Sequence, residues 1–334
     1  MNKTSIDYLD WTWNPIAMRC TPVSAGCAHC WHLAMAKRLA NNPNISQKRR
    51  DAYSGGPFVL DLKELEAPLH LRKPSRIGVQ LMGDLFHETV PEEFIIKTFT
   101  IMESAFQHTF FLLTKRPDRA FRLLSHPNFP GLVRKYGYDW LGPKKYNERG
   151  PYWRNNQWLG VSVENQPTAD ERIPILLQIP AAHRWVSVEP MLGQVDLSVL
   201  FGLYEFDEGK WALKVGSRWR DSPDWIVLGG ETSPKARPMH PDWVRSIKGQ
   251  CQAAGVPFFF KSWGEWIPRS HWRKPHPKIP WGTLDIEGNW YPETTPWNGH
   301  DDNHECPECE AVMLKVGHKY SGYLIDGQEW RQIP

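Results

Sequence analysis

A short apolar run that ends in polar or charged residues and leads into an amphipathic stretch recurs along most of this chain. That recurrence restricts the fold more than any other feature. Residues 77–82 run into Asp84 and His87, and residues 91–106 then show helical periodicity, with Phe94, Ile95, Thr98, Ile101, Met102 and Ala105 on one face. Residues 110–113 end in Lys115 and Arg116 before a helix over 117–124, and residues 158–163 end in Glu164 and Asn165 before a helix over 168–178. Residues 185–188 end in Glu189, residues 225–228 in Gly229, Gly230 and Glu231 before a helix over 241–254, and residues 257–260 in Lys261. A short strand over 6–13 and a weak one over 58–61, followed by a helix over 63–71, complete the pattern. Strands apolar on both faces, alternating with helices of about ten to fifteen residues, indicate βα units on a parallel sheet. Seven or eight strands predict an α/β fold, a full or partial (β/α) barrel of the TIM type over residues 1–265.

In such a barrel the residues just after each strand gather at one rim. Asp84, His87, Lys115, Arg116, Glu164, Asn165, Glu189, Gly229, Gly230, Glu231 and Lys261 are therefore expected around one cavity. The loop after the first strand adds Cys20, Cys27 and Cys30, three of the six cysteines in 334 residues, spaced Cys-x6-Cys-x2-Cys. Three thiolates that meet without a fourth predict a metal centre with one open coordination position.

A four-iron four-sulfur cluster on these cysteines would leave one iron to hold the amino and carboxylate groups of S-adenosylmethionine (SAM). Reductive cleavage of the sulfonium would then give a 5′-deoxyadenosyl radical. On that reading Lys115 and Arg116 neutralise the SAM carboxylate, and Glu164, Glu189 or Glu231, with Gly229 and Gly230, take the ammonium and ribose. Asp84, His87, Asn165 and Lys261 are left to the substrate. The competing reading is zinc with His32 as fourth ligand, which would make the chain a zinc-stabilised nucleic-acid-binding protein without turnover. The spacing is compatible with both.

Two stretches interrupt the repeat. Residues 129–156 interleave Arg134, Lys135, Lys144, Lys145, Arg149 and Arg154 with tyrosines and tryptophans, and residues 266–281 repeat the character, as a nucleic-acid groove would. Residues 43–56 read as a polar surface connection, and residues 266–334 as an irregular extension. Within the extension His304, Cys306 and Cys309, with His318 or His300, have zinc-like spacing. Cys251 falls in an apparent helix and reads as a small buried hydrophobe. Charges nearly balance, 40 basic against 37 acidic, too little excess to imply a polyanion partner by itself. No apolar run is long enough to span a bilayer and no secretory h-region is present, which predicts a cytoplasmic chain with reduced cysteines and no membrane partner.

Several stretches together carry a resemblance: Cys20-Thr-Pro-Val-Ser-Ala-Gly-Cys27-Ala-His-Cys30, Gly83-Asp-Leu-Phe-His87, Leu113-Thr-Lys-Arg-Pro117, Leu159-Gly-Val-Ser-Val-Glu164, Ser187-Val-Glu-Pro190, Gly229-Gly-Glu231 with Ala236-Arg-Pro-Met239, and Phe260-Lys261. The chain resembles the phage and prophage three-cysteine-motif proteins of unknown function, which are similar in pattern to radical SAM enzymes. The resemblance implies a radical-SAM-like barrel, an electron donor such as flavodoxin or ferredoxin, and, if the chain is phage-encoded, the host cytoplasm. It also implies action on nucleic acid or a modified nucleobase, such as a hypermodified thymidine in phage DNA, with a small-molecule substrate as the alternative. The chain departs from the Cys-x3-Cys-x2-Cys of most radical SAM enzymes, and His29 stands where an aromatic residue usually precedes the last cysteine.

Overall fold

The computed structural model describes residues 1–143, 146, 155–207, 210–213, 222–272, 279–293 and 311–334. Eight strands form one sheet in chain order: β1 (Asn2–Lys3), β2 (Trp11–Trp13), β3 (Arg76–Val79), β4 (Thr109–Thr114), β5 (Gln157–Val163), β6 (His183–Val188), β7 (Trp225–Gly229) and β8 (Phe258–Ser262). Pairing is parallel from β2 to β5 and between β7 and β8, and β1 is an antiparallel strand on β2. The expected α/β class with a large, mainly parallel sheet is what the chain adopts. β5 and β7 are buried along their whole length, as strands covered on both faces must be.

The helices between the strands are α1 (Trp31–Ala40), α2 (Gln47–Ser54), α3 (Glu92–Ser104), α4 (Pro117–Leu124), α5 (Phe129–Tyr136), α6 (Gln166–Gln178) and α7 (Pro241–Ala254). The contacts group the chain into two compact units. The first is Met1–Val23, Cys30–Ser162 and Arg172–Trp185; the second is Ser24–His29, Val163–Glu171 and Val186–Pro334. Aromatic rings fill the first. Trp158 stacks on Phe111 at 5.8 Å, Trp185 meets Phe111 edge-on at 6.1 Å, and Trp185 Nε1 donates to the Leu112 carbonyl at 3.1 Å. Gly160 makes this possible, since a Cβ there would lie 2.5 Å from the Trp185 ring.

In the second unit the chain end covers the edge of β8. Phe260 N–H donates to the Trp330 carbonyl at 2.7 Å, Gln332 N–H to the Phe258 carbonyl at 3.0 Å, and Phe258 N–H to Gln332 Oε1 at 2.9 Å. An exposed strand edge is thereby satisfied from within the chain.

Three expectations are corrected. Residues 43–56 are not a plain surface connection: they contain α2, ended by Gly55 at φ +104° and anchored by Ala52 and Tyr53, which pack with Ala17 and Ala36. Its sequence is so polar that two buried residues had to supply the whole apolar face. The weak strand at 58–61 is Val59–Leu60, which pairs antiparallel with Ile16–Ala17 outside the main sheet. The extension is not wholly irregular, because Trp266–Pro268, Ala311–Lys315, Trp281–Leu284 and Trp290–Pro292 form a four-stranded antiparallel sheet in that order. Its strands are three to five residues long, too short for a period to register, and two of its three pairings bridge long stretches of chain. Among the described residues no helix is long and apolar enough to cross a membrane.

Candidate active site

The cysteine segment begins where β2 ends. Gln80, buried and at φ +49°, accepts from Ile16 N–H and donates to the Ile16 carbonyl, both at 3.0 Å, and so fixes the chain that leads to Cys20. Three residues that follow β3 and β4 then engage Thr21. His87 Nε2 accepts its N–H at 3.3 Å and lies 2.9 Å from its hydroxyl, which donates to Glu88 Oε1 at 3.0 Å. Arg116 Nη2 donates to the Thr21 carbonyl at 3.1 Å and to its hydroxyl oxygen at 2.7 Å.

Arg116 is the hub of this group. Its Nε donates to Glu88 at 2.9 Å, its Nη1 to buried Asp84 at 3.2 Å, and the same Nη1 lies 3.7 Å from Cys20 Sγ. Asp84 in turn accepts from the Thr114 hydroxyl at 2.8 Å and the Lys115 N–H at 3.1 Å. Burial alone would lower the Arg116 pKa, but the charges of Asp84, Cys20 and Glu88 raise it overall. Burial would push Glu88 up, yet hydrogen bonds from its own backbone, Arg116 and Thr21 hold it at about 2. Burial first, and the Arg116 charge second, keep His87 below the usual imidazole value. The group is an ion network centred on Arg116, with His87 beside it.

In the second unit two buried glutamates hold residues 24–29. Ser24 donates to Glu164 Oε1 at 2.7 Å, and Gly26 lies so close that a Cβ there would be 2.5–2.9 Å from the Glu164 side chain. Glu231 accepts from Arg237 through Nε at 3.0 Å, Nη2 at 2.6 Å and the backbone N–H at 2.8 Å, while His29 Nδ1 lies 3.1 Å away. Arg237 Nη2 also donates to the Ala25 carbonyl at 3.0 Å. Burial raises the Glu231 pKa, but the Arg237 and His29 hydrogen bonds bring it below the usual carboxylate value. The close approach of Gly230 to the Trp263 carbonyl, where a Cβ would sit at 2.2 Å, and of Gly264 at φ +79° to Glu231, locks the backbone beneath it. Lys261 Nζ pairs with Glu189 alongside Gly229. Asn165 exchanges hydrogen bonds with Thr168 at the start of α6.

The expected residues thus separate by task. His87 and Arg116 hold Thr21 beside Cys20, with Asp84 behind Arg116; Glu164 and Glu231 hold the turn that carries Cys27; Asn165 starts a helix; Glu189 and Lys261 pair with each other. The sequence assigns no role to Thr21, Ser24, Gly26, Gln80, Glu88 or Arg237. Arg237 sits within a stretch quoted for the resemblance, but nothing in its spacing from Glu231 announces a bidentate pair. His32 is buried, accepts weakly from the Cys20 N–H at 3.5 Å, and has its pKa lowered to about 4 by burial, against a hydrogen bond with the Met18 backbone.

Cys20, Cys27 and Cys30 are partly exposed thiols outside any disulfide, Cys20 and Cys30 in the first unit and Cys27 in the second. Among the described residues no group of three or more His, Cys, Asp or Glu is gathered in metal-ligating geometry. His300, His304, Cys306 and Cys309 lie outside the described residues, as do Lys144, Lys145, Arg149 and Arg154. His318 is exposed, with Nδ1 3.3 Å from Glu265. Cys251 is fully buried, and burial pushes its thiol up out of the reactive range.

The model of a family described as a protein of unknown function, DUF5131, matches residues 3–334. No curated protein and no solved structure matches. With a match that runs over nearly its whole length, the chain belongs to the DUF5131 family.

Proposed function

We propose that this protein is a radical SAM enzyme on a (β/α) barrel, with a four-iron four-sulfur cluster on Cys20, Cys27 and Cys30 and a nucleic acid or modified nucleobase as substrate. One observation carries the reading. In the first unit His87 and Arg116, the latter backed by Asp84, hold Thr21 beside Cys20, and in the second unit Glu164 and Glu231 hold residues 24–29 around Cys27; each of these groups follows a strand, where parallel α/β folds place their chemistry. Functional-site polarity spent this way makes the cysteine segment the thing the fold presents.

The donor set fits an iron–sulfur cluster. Three thiols without a disulfide lie within eleven residues, and a guanidinium 3.7 Å from Cys20 Sγ favours its thiolate. His32, the candidate fourth ligand for zinc, instead faces the Cys20 backbone. A cluster on the three cysteines would supply one electron for cleavage of the sulfonium of SAM, with methionine as the leaving group and a 5′-deoxyadenosyl radical as the other product. The chain's own contribution is to hold Cys20 beside a fixed positive charge, hold the Cys27 turn with Glu164 and Glu231, and offer the Glu189–Lys261 pair beside Gly229 for the polar groups of SAM or substrate. A flavodoxin or ferredoxin would donate the electron.

The test is anaerobic reconstitution followed by metal analysis and incubation with SAM and dithionite. About four irons and four sulfides per chain with release of 5′-deoxyadenosine is the expected outcome. Zinc alone, or an iron-loaded protein that leaves SAM intact, would overturn the reading.

A further inference from the structure

Residues 11–60 carry six lysines and arginines against a single acid, Asp51, an excess of five in a chain whose whole net charge is +3. The structure shows where these cations go. Arg49 pairs with Asp61, and Arg50 turns to the Ile45 carbonyl and Gln47. Arg19, Lys37, Arg38 and Lys48 are exposed and make no ion pair among the described residues. They lie on one local framework. Helix α2, which carries Lys48, packs on α1 through Ala36, Ala52 and Tyr53, and Arg19 Nη1 reaches the Ser54 carbonyl at the end of α2 at 3.5 Å.

Along α1 the exposed positions are Trp31, Ala34, Lys37, Arg38 and, just beyond, Asn41, a single stripe at helical spacing that begins one residue after Cys30. Trp31 is 48 % exposed, and among the described residues the aromatic ring it meets is His32, edge-on at 6.2 Å. A half-exposed indole heading a row of cations outside any ion pair matches what a single strand of nucleic acid needs: a stacking platform for one base and contacts for the phosphates that follow. A protein partner would need an apolar centre with most of about 800 Å² buried on each side, and here the exposed large apolar residues are Val23 and Trp31 alone.

From this we infer that the Trp31–Arg38 face of α1, with Arg19 and Lys48 beside it, binds single-stranded nucleic acid, with a base stacked on Trp31 next to the cysteine segment. The inference deepens the proposed function by naming the surface that brings a nucleobase to the site, and it rests on that reading only for its purpose. Binding itself requires no metal and no turnover.

The experiment is fluorescence anisotropy of the full-length protein with a labelled 20-nucleotide oligo-dT between 50 and 200 mM salt, alongside a duplex of the same length. The expected result is tighter binding of the single strand, with log K falling against log salt at a slope of about −2 to −3 for three or four phosphate contacts. Trp31→Ala should weaken binding by roughly 5- to 150-fold with the salt slope kept, and Lys37→Glu with Arg38→Glu by about tenfold or more with a shallower slope. Exposed Lys319→Glu, in the other unit, should leave it unchanged. Equal loss with all variants, no loss with any, or capture of an acidic flavodoxin in place of the oligonucleotide would overturn the inference. Absence of iron or of 5′-deoxyadenosine with oligonucleotide binding intact would count against the radical reading alone.

Discussion

Gly26 shows how a missing side chain can define a site. The space its Cβ would occupy is filled by the Glu164 carboxylate that Ser24 holds at 2.7 Å, so Gly26→Ala must displace either the cysteine turn or a fully buried acid. Such overpacking costs about 1–3 kcal/mol, expected as a lower urea midpoint. Adding Glu164→Ala should recover part of the loss if the clash is its cause. Arg237→Met removes the guanidinium from buried Glu231, leaving it only the backbone N–H of residue 237 and His29, a loss of about 3 kcal/mol in the same measurement. Arg237→Lys should rescue only partly, because an ammonium cannot copy the fork.

At the level of elements, α7 is tied to the chain's last turn by Arg245. Its Nε and Nη2 donate to Asp326 at 2.7–3.2 Å, and His271 Nε2 lies 3.1 Å from the same carboxylate. The Arg245 hydrogen bond is the largest cause that lowers Asp326 to about 2, against an ordinary value of 3.8. A depressed carboxylate pKa stabilises the folded chain above the ordinary value, and that contribution is lost as pH falls from about 4 through about 2. Asp326→Asn should therefore lower stability at neutral pH and flatten the acid limb of the urea midpoint in that window. With the side chain 42 % exposed, solvent screening keeps the effect to about 1 kcal/mol or less. The chain end itself is an edge cap: truncation after Glu329 would uncover the N–H and C=O groups of β8, with concentration-dependent aggregation by light scattering as the expected result.

Across the whole molecule the cysteines divide by environment. Replacing Cys20, Cys27 and Cys30 with Ala, all partly exposed, should leave the circular dichroism and melting temperature nearly unchanged while abolishing iron uptake. Cys251→Ser, which puts a hydroxyl where no solvent reaches, should keep iron but lower the melting temperature by several degrees. What was legible without coordinates follows the same logic of burial. Strands such as β5 and β7 announce themselves because both faces are covered and most positions are apolar, and the cysteine triplet because its spacing is local. Helix α2 is not legible because only Ala52 and Tyr53 face inward, nor is the extension's sheet, because its strands are short and two of its three pairings bridge long gaps of chain. The amino-acid order by itself determined the βα rhythm, the thiol segment and the polar groups waiting at the strand ends. Only the tertiary structure decided that Arg116, Glu164 and Glu231 turn toward that segment, because the partners that bind them, Thr21, Ser24 and Arg237, come near through folding and not through any periodicity in the chain.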